Sequence, residues 1–186
     1  MRCIVRYAGD MIRDERSDAD THAGIPLVHG ASDDFDFFAG DWNVHNRRLR
    51  SILRGCDEWI EQSGTVSCRK IVGGLANVDD FRMTAASGEL LATTLRLFNP
   101  TSRQWSIYWA ATSRDLVLEP PVVGGFTGDE GLFYGPDTYD GVPILLRFIW
   151  RRAAKPTWAQ AFSIDDGRTW ETNWTMTFER AKKPGA

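Results

Sequence analysis

The chain has 186 residues, 42% of them hydrophobic and 25% charged, with a net charge of −3 at pH 7. That length allows one domain with a full core, and the balance excludes a disordered chain. No apolar run approaches the roughly 20 residues that span a bilayer, and no purely basic stretch offers a phosphate-binding surface for nucleic acid.

Residues 1–32 lack sustained periodicity. Met1–Tyr7 holds one basic residue and then a very short apolar patch, which Arg6, Asp10 and Arg13 interrupt; this is no secretory signal, so cytoplasmic residence is expected. The charge run Asp14–Asp20 reads as solvated, and the arm is either disordered or laid over the domain as a lid. Asp33 and Asp34 then precede Phe35-Asp36-Phe37-Phe38-Ala39-Gly40, which reads as a short helical turn capped by aspartate and ended by glycine.

From Trp42 onward the hydrophobic period is two. After a first strand from Trp42 to Leu49, strands are predicted at 56–62, 64–72, 76–84, 90–98, 104–112, 122–127, 131–138, 143–152, 157–164 and 169–179. Turn signals separate them: Ser63-Gly64, Gly73-Gly74, Ser87-Gly88, Asn99–Ser102, Gly128–Gly131, Asp140-Gly141 and Asp165–Gly167. Gly124–Gly128 reads as a turn, since no helix follows that could cradle a phosphate. Short turns at near-regular spacing predict an all-β fold: a single antiparallel up-and-down β-barrel of about 8–10 strands, with a two-sheet sandwich as the alternative. The expected division is an N-terminal arm (1–32), a barrel domain (33–181) and a tail (182–186).

Cys3, Cys56 and Cys68 form no C-x-x-C pair. Cys56 and Cys68 flank Ser63-Gly64 and could face each other across a hairpin; two buried thiols are the plainer reading in a reducing cytoplasm.

Asp34-Phe35-Asp36-Phe37-Phe38-Ala39-Gly40-Asp41-Trp42 resembles the opening of the calycin superfamily, in which a helical turn leads into G-x-W and the tryptophan plugs one barrel end. Lipocalins, fatty-acid-binding proteins and nitrobindins share that architecture. Asn43–Leu49 and Gly73–Asp79 extend the likeness, over residues 33–180, to uncharacterised bacterial lipocalin-like proteins. The resemblance implies a barrel with an internal ligand cavity. Two familiar roles lack their residues: no histidine follows His45 to hold a nitrobindin haem, and Thr169–Glu179 has no Arg-x-Tyr carboxylate clamp. Separately, Ser163-Ile164-Asp165-Asp166-Gly167-Arg168-Thr169-Trp170 fits the Asp-box hairpin of sialidase-type propellers; a single copy fixes a hairpin and no chemistry.

With Trp42 inward, as in the resembled superfamily, alternation assigns the rest. Val44, Asn46 and Arg48 follow on the first strand, and Asn77, Asp79, Phe81 and Met83 on a later one. Thr93, Leu95 and Leu97 come next, then Trp105, Ile107 and Trp109, then Leu146, Phe148 and Trp150. Trp158, Gln160 and Phe162 precede a last strand of Trp170, Thr172, Trp174, Met176 and Phe178, with Glu171 and Asn173 outward. A buried Arg48 needs a counter-charge, and Asp79 is the expected partner.

The leading expectation is binding of a small hydrophobic, aromatic or polycyclic, molecule by Trp105, Trp109, Trp150 and Trp174, with Asn46, Arg48, Asp79 and Gln160 orienting its polar end. The runner-up is a cofactor-free isomerase, cyclase or lyase of secondary metabolism, with Asp79 as acid or base, Arg48 stabilising an enolate, and His45 a weak third candidate because it alternates outward. The third is a structural or oligomer-forming barrel whose eight tryptophans fill the core. No metal or cofactor is expected, since His22 and His29 have no ligand spacing to a cysteine or carboxylate. A homodimer is compatible with all three readings.

Overall fold

Ten strands build the chain in the computed structural model, which describes residues 25–85 and 88–182. They are β1 (Gly40–Leu49), β2 (Trp59–Ile71), β3 (Ala76–Ala85), β4 (Gly88–Asn99), β5 (Gln104–Ala111), β6 (Val122–Thr127), β7 (Glu130–Tyr139), β8 (Val142–Arg151), β9 (Thr157–Ser163) and β10 (Glu171–Arg180). Each pairs antiparallel with its neighbours in sequence, and β1 closes on β10. The expected all-β up-and-down barrel is the observed architecture, and closure removes the edges that an open sheet would expose. Among the described residues the helical elements are single 3-10 turns, at Asp36–Phe38 before β1, Val72–Gly74 and Thr112–Arg114. No helix among the described residues is long and apolar enough to cross a membrane.

Several local expectations are corrected. The segments 56–62 and 64–72 form one strand, β2, with no turn at Ser63-Gly64. Gly64 sits mid-strand opposite Val44 and Met83. A Cβ there would fall 2.5 Å from the Arg82 carbonyl oxygen and 3.2 Å from Asn46 Nδ2, so the residue is small because the barrel wall is tight there. Cys56 therefore precedes β2, while Cys68 opposes Gly40 and Asp79; both thiols are free. Gly124 and Gly125 likewise belong to β6, and the turn is carried by Gly128 at φ +60°. A Cβ on Gly125 would meet the backbone of His29 and Gly30, so it is the chain before the barrel that requires a glycine there.

The phase of β4 is opposite to the one expected. Ala92, Thr94 and Arg96 are buried, whereas Leu97 is 37% exposed and Thr93 and Leu95 lie on the outer side. Apolar content alone selects the wrong set, because the inward set includes a charge that Asp79 neutralises. On β10 a bulge between Thr172 and Trp174 shifts the register. Asn173 is fully buried rather than outward, Thr172 is exposed, and Trp170 precedes the strand. Trp170 packs outside the barrel, under Arg147 (4.1 Å to its ring centre) and against Tyr134.

One barrel end is stoppered by the residues before β1. Phe35 and Phe38 are almost wholly buried, and Phe38 stacks on Trp42 (5.6 Å) and meets Trp150 (4.9 Å) and Phe178 (5.0 Å) edge-on. Trp42 Nε1 donates to the Phe38 carbonyl (2.8 Å) and Trp105 Nε1 to the Ala31 carbonyl (3.0 Å). No side chain caps the 3-10 turn, contrary to the expectation for Asp33 and Asp34. Asp34 instead accepts from Ala31 N (2.7 Å) and Arg152 (2.6 Å), which anchors the plug to the residue just after β8. Within the expected arm, Gly30 N donates to the Arg103 carbonyl (2.7 Å) and His29 Nδ1 lies 2.9 Å from the Ser102 carbonyl oxygen, so residues 29–31 lie along this stoppered end. The charge run at 14–20 and His22 fall outside the described residues.

Candidate functional site

Between the plug and the opposite rim the barrel keeps a cavity of about 130 Å³. Its floor is Phe38, Trp150 and Phe178, its walls carry Phe81, Trp109, Trp158 and Trp174, and its rim carries Arg48, Ile52, Arg114, Glu119 and Tyr139. Space survives because the inward face of β4 and β5 offers Thr94 and Ala111 where larger side chains would meet across the barrel. The tryptophans pack edge-to-face, Trp158 on Trp174 at 5.4 Å and Trp109 on Trp174 at 6.1 Å, leaving flat apolar walls.

Deep in this cavity Asp79 and Arg96, each side chain 3% exposed, form an ion pair of 2.8 Å. Asp79 also accepts from Thr94 N (3.0 Å), and Arg96 Nη1 donates to Asn77 Oδ1 (2.8 Å). The guanidinium lies over Phe38, Phe35 and Trp150 at 5.1 to 5.4 Å. Arg48 is thus not the partner of Asp79. Arg96 takes that role from the adjacent strand, and the carboxylate's acceptor positions are committed to it and to the β4 backbone. Beside this group, burial pushes the Cys68 thiol up to about 11, and its Sγ lies 3.8 Å from Asn77 Oδ1.

Arg48, one residue before the end of β1, stacks on Trp174 with 4.2 Å between its guanidinium carbon and the ring centre. Burial lowers its pKa, with the Arg114 charge adding to the effect against an opposing contribution from Tyr139. Across the rim, Arg114 Nη1 lies 3.1 Å from Glu119 Oε1, close enough for an ion pair though off the line of a hydrogen bond. Burial raises the pKa of Glu119 while Arg114 opposes that rise.

Of the residues singled out from sequence, Arg48, Asp79, Trp109, Trp150, Gln160 and Trp174 border the cavity. Asn46 is buried behind Trp174, whose Nε1 donates to its Oδ1 (3.2 Å), and Trp105 lies in the plug. Neither borders the cavity. His45 is on the outer wall, its Nε2 3.8 Å from Glu61. Gln160 spends its amide on Asn173 Oδ1 (2.9 Å), a contact created by the bulge. Sequence reasoning missed Arg96, Trp158 as a wall residue, and the rim pair Arg114–Glu119. A β3–β4 hairpin register would have found Arg96; the rim pair comes from a long loop with no periodic signal.

Four buried donors on or just behind the cavity wall have no hydrogen-bond partner among the described residues: Trp150 Nε1, Arg96 Nε, Asn46 Nδ2 and Asn173 Nδ2. Such groups are normally satisfied by protein, water or ligand. In comparisons with known proteins, no family profile and no curated sequence matches the chain.

Proposed function

We propose that this protein binds a small, apolar, aromatic molecule inside the barrel. The observation that carries this reading is the space left among Trp109, Trp150, Trp158 and Trp174, since eight tryptophans could have packed the interior solid. The volume sets the size: about 130 Å³ is close to the roughly 150 Å³ of an engineered apolar cavity that admits benzene, so one ring fits as the walls stand and a polycycle does not. The closed ten-strand meander with an aromatic plug before β1 supports the resemblance to calycins, which keep ligands in this position. The enzymatic alternative has less support, because the carboxylate of Asp79 is already engaged by Arg96 and Thr94 N.

Titrating single-ring compounds such as p-cresol and toluene while following tryptophan emission tests the reading. Saturation at 100 times Kd should quench emission and add about 2.7 kcal/mol, a rise in Tm of roughly 5–10 °C for a domain of this size. Anthracene should give neither response. A flat titration across the single-ring set would remove the proposal.

A further inference from the structure

The arginines at the barrel interior and its two ends are matched with acids: buried Arg96 with Asp79, half-buried Arg152 with Asp34, and exposed Arg114 with Glu119. Arg48 is the exception. Its guanidinium borders the cavity, stacks on Trp174, and makes no ion pair or hydrogen bond with any described residue. Desolvating a guanidinium without a counter-charge is unfavourable, and burial accordingly lowers its pKa. Trp174 covers one side of the group, 4.2 Å from its guanidinium carbon, and the N–H donors have no partner among the described residues; a forked donor of this kind matches a carboxylate in a bidentate fashion. On the floor of the same cavity, Trp150 is 3% exposed and its Nε1 has no acceptor. The space therefore presents a cation that pairs with none of the carboxylates lining it (Asp79, Glu119 and Asp137), a donor without an acceptor at its base, and aromatic walls between.

We propose that the ligand is a single-ring aromatic acid whose carboxylate is held by Arg48 at the mouth, with the ring against Trp109, Trp158 and Trp174. This rests on the binding reading above and narrows it to one chemical class. The ring supplies the flat apolar body that the walls accept, and the anion supplies the charge that Arg48 lacks. Asp79 plays no part in the recognition, because its carboxylate is already bound by Arg96 and Thr94 N.

The test compares benzoate, salicylate and phenylacetate with benzamide and methyl benzoate, by tryptophan quenching and thermal melting at pH 7. The proteins are the wild type, Arg48→Met, which keeps an unbranched stem, and Arg48→Lys, which keeps the charge. At least one acid should bind ten-fold or more tightly than the neutral compounds. Arg48→Met should erase that preference, so that acids and neutral compounds bind alike, and Arg48→Lys should retain part of it. Should Arg48→Met fail to fold, the wild-type preference and its partial retention in Arg48→Lys decide alone. Neutral compounds binding as tightly as the acids would overturn the acid assignment and leave aromatic binding standing. No response to acids or neutral compounds up to about 10 mM would overturn both.

Discussion

Arg96 carries its charge into a ring of aromatic faces formed by Phe35, Phe38 and Trp150, and it is tolerated there because Asp79 and Asn77 bind one end of the guanidinium. A pair this deeply buried contributes little net stability compared with apolar residues of the same volume, yet losing one member is severe, because the other is left charged in a dry site. Asp79→Leu or Arg96→Met alone should therefore destabilise the fold by about 3–5 kcal/mol in urea unfolding. The double variant Asp79→Leu/Arg96→Met should be more stable than either single one. If the two single losses simply added, the pair would not be coupled as the geometry requires. The same reasoning separates Arg96 from Arg48. The first is a structural charge already neutralised, the second a charge still open to a partner.

At the scale of elements, the β9–β10 hairpin is the most local piece of the fold. Ser163 Oγ donates to Asp165 Oδ1 (2.7 Å), Gly167 N donates to Ser163 Oγ (2.9 Å), and Thr169 donates to Asp165 through both its N–H (2.9 Å) and its hydroxyl (2.7 Å). The bonds to the carboxylate, those from Thr169 first and then that from Ser163, hold Asp165 down at about 2, below its ordinary 3.8. A depressed carboxyl contributes stability above its unfolded pKa and loses it as pH falls through the folded value. Unfolding followed from pH 5 to pH 2 should thus show a decline between about 4 and about 2 that Asp165→Asn flattens; an unchanged acid limb in that variant would refute the assignment. This hairpin was legible in the sequence because every bond spans at most four residues. The phase of β4 was legible in principle and was still misread. Ala85 opposes Gly88, so odd-numbered β3 residues always oppose even-numbered β4 residues, and Asp79 inward forces Thr94 and Arg96 inward as well. Alternation read one strand at a time ignores that constraint. The β10 bulge had no such signal: the extra residue, Asn173, is accommodated by Gln160 on the neighbouring strand, a contact that exists only once the barrel has closed.

For the molecule as a whole, what matters is how the closed sheet distributes its volume. Aromatic side chains interlock at the plug end, where Phe35, Phe38, Trp42, Trp150 and Phe178 meet, while beyond them the wall includes the small side chains of Thr94 and Ala111. Strand alternation gives the side of the sheet but not the depth along the barrel axis. That is why Asn46 and Trp105 could not be told from true cavity residues in advance, and why the remaining space had to be seen rather than inferred. The space also distinguishes a binding barrel from one that merely holds itself together. Filling it should be nearly neutral or stabilising if it is an unoccupied void, because closing a cavity recovers about 24 cal/mol per Å³. It should abolish binding if the space is the site. Ala111→Leu adds three carbons on a wall residue that is 1% exposed and carries no side-chain hydrogen bond. The variant should keep or raise its Tm, within about 1–2 kcal/mol of wild type, while losing quenching by single-ring compounds by ten-fold or more. Retained binding in a stably folded Ala111→Leu protein would move the ligand out of the barrel interior and onto its surface.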